Sequence, residues 1–234
     1  IDTAVRQIRQ SAGRRHVTVT TFASFASMWL IPRLEAFQRE FPDIDIRIEA
    51  SDTMLDLEVA DVDLAVRYAP VARVPTGARR LFGESVTVMA SPWLLKAGPA
   101  LRRPADVLQY TLIESGDAYA PHLAWLSWHR WLEANDLAKQ QPKRWLTLNY
   151  ASQMVQAALT GQGLVLARPP LVADALARGE LVELLPQTRL HSPLAYWLML
   201  APRSAARPEV KAFADWGLAQ EGDTTQVIGE AHDP

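Results

Sequence analysis

Residues 16–50, HVTVTTFASFASMWLIPRLEAFQREFPDIDIRIEA, decide the fold. Apolar and polar residues alternate over residues 16–20 and again over 44–48, which predicts two strands. Between them, apolar residues recur three or four positions apart over residues 24–41, which predicts a helix beginning at Ser24 or a neighbour. The stretch therefore predicts a strand, a helix and a second strand in succession.

The same alternation of strands and helices continues along the chain. A short helix at residues 53–59 and a strand at 62–67 extend the pattern to βαβαβ, which implies a parallel sheet with right-handed crossovers. Further strands are predicted at residues 81–90, 110–114, 144–148, 164–167, 181–185 and 195–200, and further helices at 121–135, 152–160, 169–178 and 208–219. The predicted fold class is therefore α/β.

The two ends of the chain carry different expectations. Residues 1–13 place Val5 and Ile8 among polar residues and end at Gly13, which is typical of the last turns of an amphipathic helix. A chain that starts within a helix is expected to have a further segment before it. Residues 221–234 are polar and are expected to form a loose tail.

Composition and charge exclude several classes of protein. The 234 residues include no cysteine, so disulfides and thiolate metal sites are excluded. No apolar run approaches the roughly 18 residues that cross a bilayer, and residues 1–13 lack the apolar core of a signal peptide. The formal net charge is −2, and the arginine pairs are scattered rather than gathered on one basic face. This chain alone is therefore not expected to bind DNA strongly.

Polar residues follow several predicted strands at the edge where ligands bind. In a parallel α/β sheet this edge lies outside the carboxyl ends of the strands. Four loops are expected there: residues 20–25, Ser51-Asp52, Ser115-Gly116 and residues 149–152. The first and the fourth lead into helix N-termini, whose free N–H groups and dipole favour a carboxylate or another anion. Taken alone, Ser24 and Ser152 are better explained as N-caps.

Three other features favour structural roles. The three tryptophans of residues 125–131 recur every three positions, which suits a packing stripe on a helix. Gly161-Gln162-Gly163 follows a predicted helix, which favours a C-terminal cap over a dinucleotide-binding loop. Asp61 and Asp63 are spaced like paired carboxylates, but a capped turn into the following strand explains them better.

The order and spacing of several short motifs resemble the effector-binding domain of LysR-type transcriptional regulators. The motifs are SFASMWLIPRL (24–34) with Phe37 and FPDI (41–44), DVDLAVRY (61–68), Ser91-Pro92, GQGLVL (161–166) and GELV (179–182). Together they span about residues 14–220. The subgroup that they resemble is the glycine-cleavage-activator type.

The resemblance implies a two-lobed periplasmic-binding-protein-like fold of type II, each lobe a mostly parallel sheet flanked by helices. Lobe I would comprise residues 14–88 and 193–220, and lobe II residues 89–192. A small effector, anionic or amino-acid-like, would bind in the cleft between the lobes. Residues 1–13 would end a linker helix that follows an N-terminal winged helix-turn-helix, a head that is absent from this chain.

The resemblance also assigns effector contacts to nine positions. They are Thr21, Ser24, Phe25, Ser51, Asp52, Arg67, Ser115, Asn149 and Tyr150. The hydroxyls of Thr21 and Ser24 and the amide of Asn149 can donate hydrogen bonds to an anion. Arg67 either faces the cleft or ties its lobe together.

Three classes of function remain. The sensor domain of a transcription factor is favoured by the resemblance and because the sequence has no GxSxG, GxxxxGK[ST] or HExxH motif. A periplasmic solute-binding protein of a transporter has the same fold class and would require a secretion signal upstream. An enzyme would need Ser115 and Asp117 to be assisted by a histidine or a lysine that no motif places.

The favoured class carries expectations about partners and location. We expect a small-molecule effector, assembly into a homodimer or tetramer, and contact with promoter DNA only through the missing N-terminal domain. No catalytic residue, cofactor, metal site or membrane contact is expected. The expected location is the cytoplasm, with which the lack of cysteine is compatible.

Overall fold

A computed structural model describes residues 15–52, 56–116 and 124–229. The chain separates into two compact units. Unit 1 contains the described residues up to Phe82 and then Ala195–Asp223, and unit 2 contains Gly83–Leu194 and the described residues from Thr224 onward. The lobe boundaries expected from the sequence, at residues 88–89 and 192–193, lie near these positions. The expected linker helix at residues 1–13 lies outside the described residues.

Unit 1 is built on a sheet whose first three strands are parallel. Its strands are β1 (Arg15–Thr21), β2 (Ile44–Ala50), β3 (Leu64–Pro70), the start of β4 (Arg79–Ala90) and the end of β9 (Leu190–Leu200). The strand order is β2-β1-β3-β9. Strand β1 pairs in parallel with β2 and with β3, placing Val17 opposite Ile46 and Val19 opposite Leu64. The parallel sheet predicted from the first three strands is confirmed.

The helix predicted after β1 is a succession of four segments. They are α1 (Ala23–Phe25), a π-helical segment (Ala26–Leu30), a 3-10 turn (Ile31–Arg33) and α2 (Leu34–Glu40). Phe22 occupies the N-cap position, and Ser24 lies inside α1, so Ser24 is not the cap. Pro32 has no N–H to donate, so a regular α-helical ladder cannot run through this stretch.

Unit 2 combines parallel and antiparallel pairing. Its further elements are α3 (Pro92–Ala97), a 3-10 turn (Pro104–Gln109), β5 (Thr111–Ser115), α4 (Trp128–Ala134), β6 (Arg144–Leu148), α5 (Ala151–Leu159), β7 (Leu164–Ala167), α6 (Pro169–Ala177) and β8 (Val182–Leu184). The strand order is β4-β7-β5-β6, and β8 also pairs with β4. Strand β5 is parallel to β6 and β7, whereas β4 is antiparallel to β7 and β8. The carboxyl ends of β5, β6 and β7 therefore lie at one edge.

The tryptophans of α4 form the centre of the core of unit 2. Trp128 and Trp131 are fully buried, and their rings meet edge to face with centroids 5.3 Å apart. Leu112 and Leu164 belong to the same apolar cluster. The packing role predicted for these two tryptophans is confirmed.

Two predicted helices are shorter in the structure. Of the helix predicted at residues 121–135, the described part consists of a 3-10 turn (Ala124–Leu126) and α4. Ser127 separates them because its hydroxyl accepts the Arg130 N–H at 3.2 Å and thereby caps α4. Residues 56–59 form a turn rather than the helix predicted at 53–59, and residues 53–55 lie outside the described residues.

The loose tail predicted at residues 221–234 is wrong for residues 221–228. These residues continue α7 (Pro208–Ile228), the last helix. Thr224, Thr225 and Ile228 are buried there, with at most 9% of their surface exposed. The continuation of the helix was not predicted from the sequence, because two of its buried residues are threonines in a polar stretch. Residues 230–234 lie outside the described residues.

Within the described residues, none of the helices combines the length and the apolar character that a membrane span requires.

Candidate functional site

The carboxyl ends of β1 and β2 bring Thr21 and Ser51 together in unit 1. The Ser51 N–H donates to the Thr21 carbonyl oxygen at 2.8 Å. The Thr21 side chain is fully buried, and its hydroxyl has no hydrogen-bond partner among the described residues. Buried polar groups nearly always have a partner, because leaving them unpaired costs free energy. The Thr21 hydroxyl therefore points to a ligand or an ordered water at this strand end.

Arg67 on β3 ties these strand ends together. Its guanidinium donates from Nη1 to the Ser51 carbonyl oxygen at 2.9 Å and from Nη2 to Thr20 Oγ1 at 2.7 Å. Burial lowers the pKa of Arg67, and the carboxylate of Asp52 opposes this effect. An arginine stays protonated even after such a shift. A positive charge is therefore held next to Thr21 and Ser51.

Phe25 lies in an aromatic cluster of unit 1. Its ring stacks on Trp29 with centroids 4.9 Å apart and also contacts Phe22 at 5.7 Å and Tyr196 at 5.8 Å. The ring is fully buried. Phe25 is thus a core residue of unit 1, and its neighbour Ser24 is also buried, at 5% exposed.

A second group of predicted residues lies at the carboxyl ends of β5 and β6 in unit 2. Ser115 pairs with Leu148, and the Gly116 N–H donates to the Leu148 carbonyl oxygen at 2.9 Å. A Cβ atom on Gly116 would lie 2.8 Å from Asn149 Oδ1, so the side chain of Asn149 covers this glycine. The structure therefore brings Asn149 next to the turn that follows Ser115.

Tyr150 occupies the N-cap position of α5. Its backbone N–H donates to Gln153 Oε1 at 3.3 Å, and its side chain is exposed. Ser152 lies inside the helix, so the explanation of Ser152 as an N-cap is wrong. Asn149 and Tyr150 are both open to solvent at the start of this helix.

Sequence reasoning missed Glu114, the neighbour of Ser115. Its carboxylate accepts the N–H groups of Ser115 and Trp128, each at 2.8 Å, and so joins the end of β5 to the start of α4. Burial raises the pKa of Glu114, although these N–H groups favour the charged form. Glu114 is the single charged residue of β5, and this is the signal that could have identified it.

One structural explanation from the sequence is confirmed and another is not tested. Asp63 accepts the Thr18 N–H at 2.8 Å and pairs with Arg207 at 2.7 Å, which are tertiary contacts rather than the local cap expected for the turn before β3. Gly161 follows α5 with φ of +72°, and the Gln162 N–H returns to the Ala157 carbonyl oxygen at 2.9 Å, which is a helix C-terminal cap.

The described residues contain no group of three histidine, cysteine, aspartate or glutamate side chains that could hold a metal ion.

Comparisons with known proteins identify relatives for most of the chain. Residues 10–221 match the family described as LysR substrate binding domain. The chain is 31% identical over 221 residues to the glycine cleavage system transcriptional activator of Escherichia coli strain K12, covering 93% of this chain and 68% of the relative. It is 30% identical over 203 residues to the HTH-type transcriptional activator AmpR of Pseudomonas aeruginosa, covering 86% of this chain and 64% of the relative.

Solved structures agree with the sequence comparison. The effector domain of AmpR from Pseudomonas aeruginosa has a TM-score of 0.67 and 29% identity, covering 92% of this chain and 98% of that structure. The regulatory domain of CrgA from Neisseria meningitidis, at 20% identity, shares the fold with a TM-score of 0.66. The predicted periplasmic-binding-protein-like fold of type II is thereby confirmed.

Proposed function

Because the chain belongs to the LysR substrate-binding domain family and is the effector-binding domain of a LysR-type transcriptional regulator, we propose that it senses a small anionic or amino-acid-like molecule. The transporter alternative is not favoured, because the relatives are transcriptional activators. These relatives are regulators rather than enzymes, so we assign the domain no reaction, and we place the regulator in the cytoplasm.

This proposal rests mainly on the Thr21 hydroxyl. It is buried without a partner among the described residues, at the strand edge where α/β proteins bind ligands. The charge of Arg67 lies behind the same strand ends and favours an anionic group there. Ser24, Ser51 and Asp52 complete the proposed contacts in unit 1, and Phe25 supports them from the aromatic cluster.

Unit 2 supplies the second part of the proposed contacts. Ser115, Asn149 and Tyr150 follow the parallel strands β5 and β6 at their carboxyl ends. The side chains of Asn149 and Tyr150 are exposed, and the positive end of the α5 helix dipole favours a carboxylate. We assign the effector one group of contacts in each unit, so that substitutions in both units should weaken the same binding event.

Titration calorimetry with amino acids, organic acids and aromatic acids tests this assignment. For the ligand that binds, Thr21→Val and Asn149→Ala should each weaken affinity about tenfold or more, because each removes a hydrogen bond to a charged group. Ligand-free Thr21→Val should melt at or above the temperature of the unsubstituted chain, since it loses an unpaired buried hydroxyl.

Ser91→Ala is the matched control. The Ser91 hydroxyl is also buried and has no partner within the described part of the chain, but Ser91 is not a proposed contact. Its substitution should leave affinity unchanged. If the Thr21→Val, Asn149→Ala double variant binds the ligand as tightly as the original chain, the site assignment is wrong.

Promoter DNA and self-assembly belong to the proposal for the whole regulator. The chain spans 68% of the length of the Escherichia coli activator. We assign DNA contact to an N-terminal helix-turn-helix domain outside these residues, and assembly to a homodimer or tetramer. A gel-shift assay should show promoter binding by the full regulator and none by residues 15–229 alone, and sedimentation of the full regulator should give the mass of a dimer or tetramer.

A further inference from the structure

Unit 1 contains a polar cavity beside the amino ends of β1 and β3. Its volume is about 310 Å³, and its walls come from β1, β2, the turn before β3 and the turn between β9 and α7. All of the side chains that line it are polar or charged, and they include three arginines, two aspartates and one histidine. A cavity of this size is sufficient for a small molecule.

The cavity is distinct from the effector residues proposed above. Thr18 lies in its wall, three residues before Thr21 on β1, which is a distance of about 10 Å along a strand. Because side chains alternate along a strand, Thr18 and Thr21 also project from opposite faces of the sheet.

The Thr18 side chain lines the cavity, and its hydroxyl has no hydrogen-bond partner among the described residues. The residue is 6% exposed and its backbone N–H donates to Asp63 Oδ2 at 2.8 Å. Thr20, on the same face of β1, differs because its hydroxyl donates to the Glu49 carbonyl oxygen at 3.2 Å and accepts from Arg67 at 2.7 Å. The hydroxyl of Thr18 is therefore available to a molecule in the cavity.

Asp63 and Arg207 form a fixed wall of the cavity. Arg207 Nη1 donates to Asp63 Oδ1 at 2.7 Å, and the Ser204 hydroxyl donates to the same oxygen at 2.6 Å. Arg207 also donates from Nε to Glu209 at 2.9 Å. These charges compensate each other and hold the turn after β9 against the start of β3.

Arg47 and Arg203 pair with carboxylates that are more exposed than that of Asp63. Arg47 pairs with Glu49 at 2.9 Å with 71% of its side chain exposed. Arg203 pairs with the fully exposed Asp61 at 3.3 Å and also donates to the carbonyl oxygen of Ala60 and, at 3.5 Å, to that of Val62. Ion pairs in solvent are weak, whereas a guanidinium binds a carboxylate or a phosphate through two parallel hydrogen bonds. A ligand oxyanion can therefore compete with Glu49 and Asp61 for these two guanidinium groups, while the carbonyl contacts of Arg203 keep its side chain in place.

We infer that this cavity is a second ligand site, in which the hydroxyl of Thr18 and the guanidinium groups of Arg47 and Arg203 bind a small oxyanion. The shared chemistry of the ligand is a carboxylate or phosphate group. The site would let the regulator respond to a second metabolite that does not compete with the effector.

Calorimetric titration of the chain with inorganic phosphate and, separately, with citrate tests this site at constant ionic strength. Saturable binding of at least one probe is expected, and the responding probe identifies the anionic group. The Arg47→Gln, Arg203→Gln double variant should weaken binding at least tenfold. Arg39→Gln is the matched control, because Arg39 is a similarly exposed arginine paired with a glutamate elsewhere in unit 1. It should bind the probe normally.

Two threonine variants separate ligand binding from a structural role. Thr18→Val should weaken probe binding without lowering the melting temperature, whereas Thr20→Val should lower it, because only Thr20 has bonded partners. Thr21→Val should leave probe binding unchanged.

Failure of both probes to bind the unsubstituted chain would overturn the inference, as would normal binding by the double arginine variant. Loss of probe binding in Thr21→Val would also overturn it, because the anion would then occupy the proposed effector site. The arginine variants do not involve Thr21 or Asn149. A negative result for this cavity would therefore not contradict the proposed effector site, which the Thr21→Val and Asn149→Ala titrations test separately.

Discussion

At the scale of single residues, three threonines of β1 differ in their hydrogen bonds. Thr20 is bonded to Arg67 and Glu49, whereas the hydroxyls of Thr18 and Thr21 lack partners among the described residues. All three are buried. A paired hydroxyl contributes to stability and a buried unpaired one costs free energy, so Thr20 has a structural role, whereas Thr18 and Thr21 are the threonines that we propose as ligand contacts.

Glu183 gives a prediction about acid stability. Its carboxylate accepts from Arg189 at 2.5 and 2.6 Å and from Thr87 Oγ1 at 2.7 Å, and the bond from Arg189 holds its pKa below the usual 4.5. A carboxylate whose pKa is lowered by folding contributes stability above its unfolded pKa, and this is lost as the pH falls through the folded pKa. Between about pH 5 and pH 3 the melting temperature should fall more steeply for the original chain than for Glu183→Gln.

Glu180→Gln is the control for this measurement. Glu180 also pairs with an arginine, Arg178 at 2.9 Å, but both side chains are largely exposed. Solvent screens such a pair, so Glu180→Gln should follow the acid curve of the original chain. Equal acid curves for Glu183→Gln and the original chain would contradict the prediction.

At the scale of elements, two glycines end helices in the same way but in different surroundings. Gly161 follows α5 with φ of +72° and Gly179 follows α6 with φ of +68°. A Cβ atom on Gly161 would lie 2.0 Å from Cζ2 of Trp93, whereas one on Gly179 would meet nothing within 4 Å. The glycine motif noted in the sequence therefore serves both a turn and a packing contact with Trp93.

Alanine substitutions separate these two effects. Gly179→Ala should cost about 1–2 kcal/mol, because an L-residue is strained in the left-handed region. Gly161→Ala should cost more, since the indole of Trp93 must also move. In a Trp93→Ala background Gly161→Ala should cost only as much as Gly179→Ala. Denaturant unfolding of the original chain and these four variants, Trp93→Ala included, measures the difference, and equal costs of the two single glycine substitutions would contradict the packing role.

At the scale of the whole molecule, the two units share three elements. Strands β4 and β9 and helix α7 each begin in one unit and end in the other. The last turns of α7 belong to unit 2, although the rest of the helix belongs to unit 1. The end of the helix is therefore part of the folded domain.

Truncation tests this role of α7. A chain ending at Gln220 should melt several degrees below a chain ending at Gly229, because it loses the buried Thr224, Thr225 and Ile228. Burial of one isoleucine is worth about 1.5–3 kcal/mol, and 1 kcal/mol corresponds to about 2–4 °C in a domain of this size. Equal melting temperatures of the two chains, measured by circular dichroism, would instead support the loose tail predicted from the sequence.

The sequence by itself determined the family and the succession of elements. Strands at residues 144–148 and 164–167 were predicted to the residue, because a short stretch with strand character is a local property of the sequence, and the second of them is a continuous apolar run. The motifs at residues 24–34 and 61–68 were sufficient for the resemblance that the family match later confirmed. Each of these signals is contained in a few consecutive residues.

Only the tertiary structure decided which polar groups have partners and where the last helix ends. Arg67 reaches Thr20 across 47 positions of sequence, and Asp63 reaches Thr18 across 45. The spacing of apolar and polar residues along the chain does not predict contacts at that separation. Such contacts depend on how strands and turns from different parts of the chain are packed. For the same reason, polar residues 221–228 are helical through burial that their own sequence does not display.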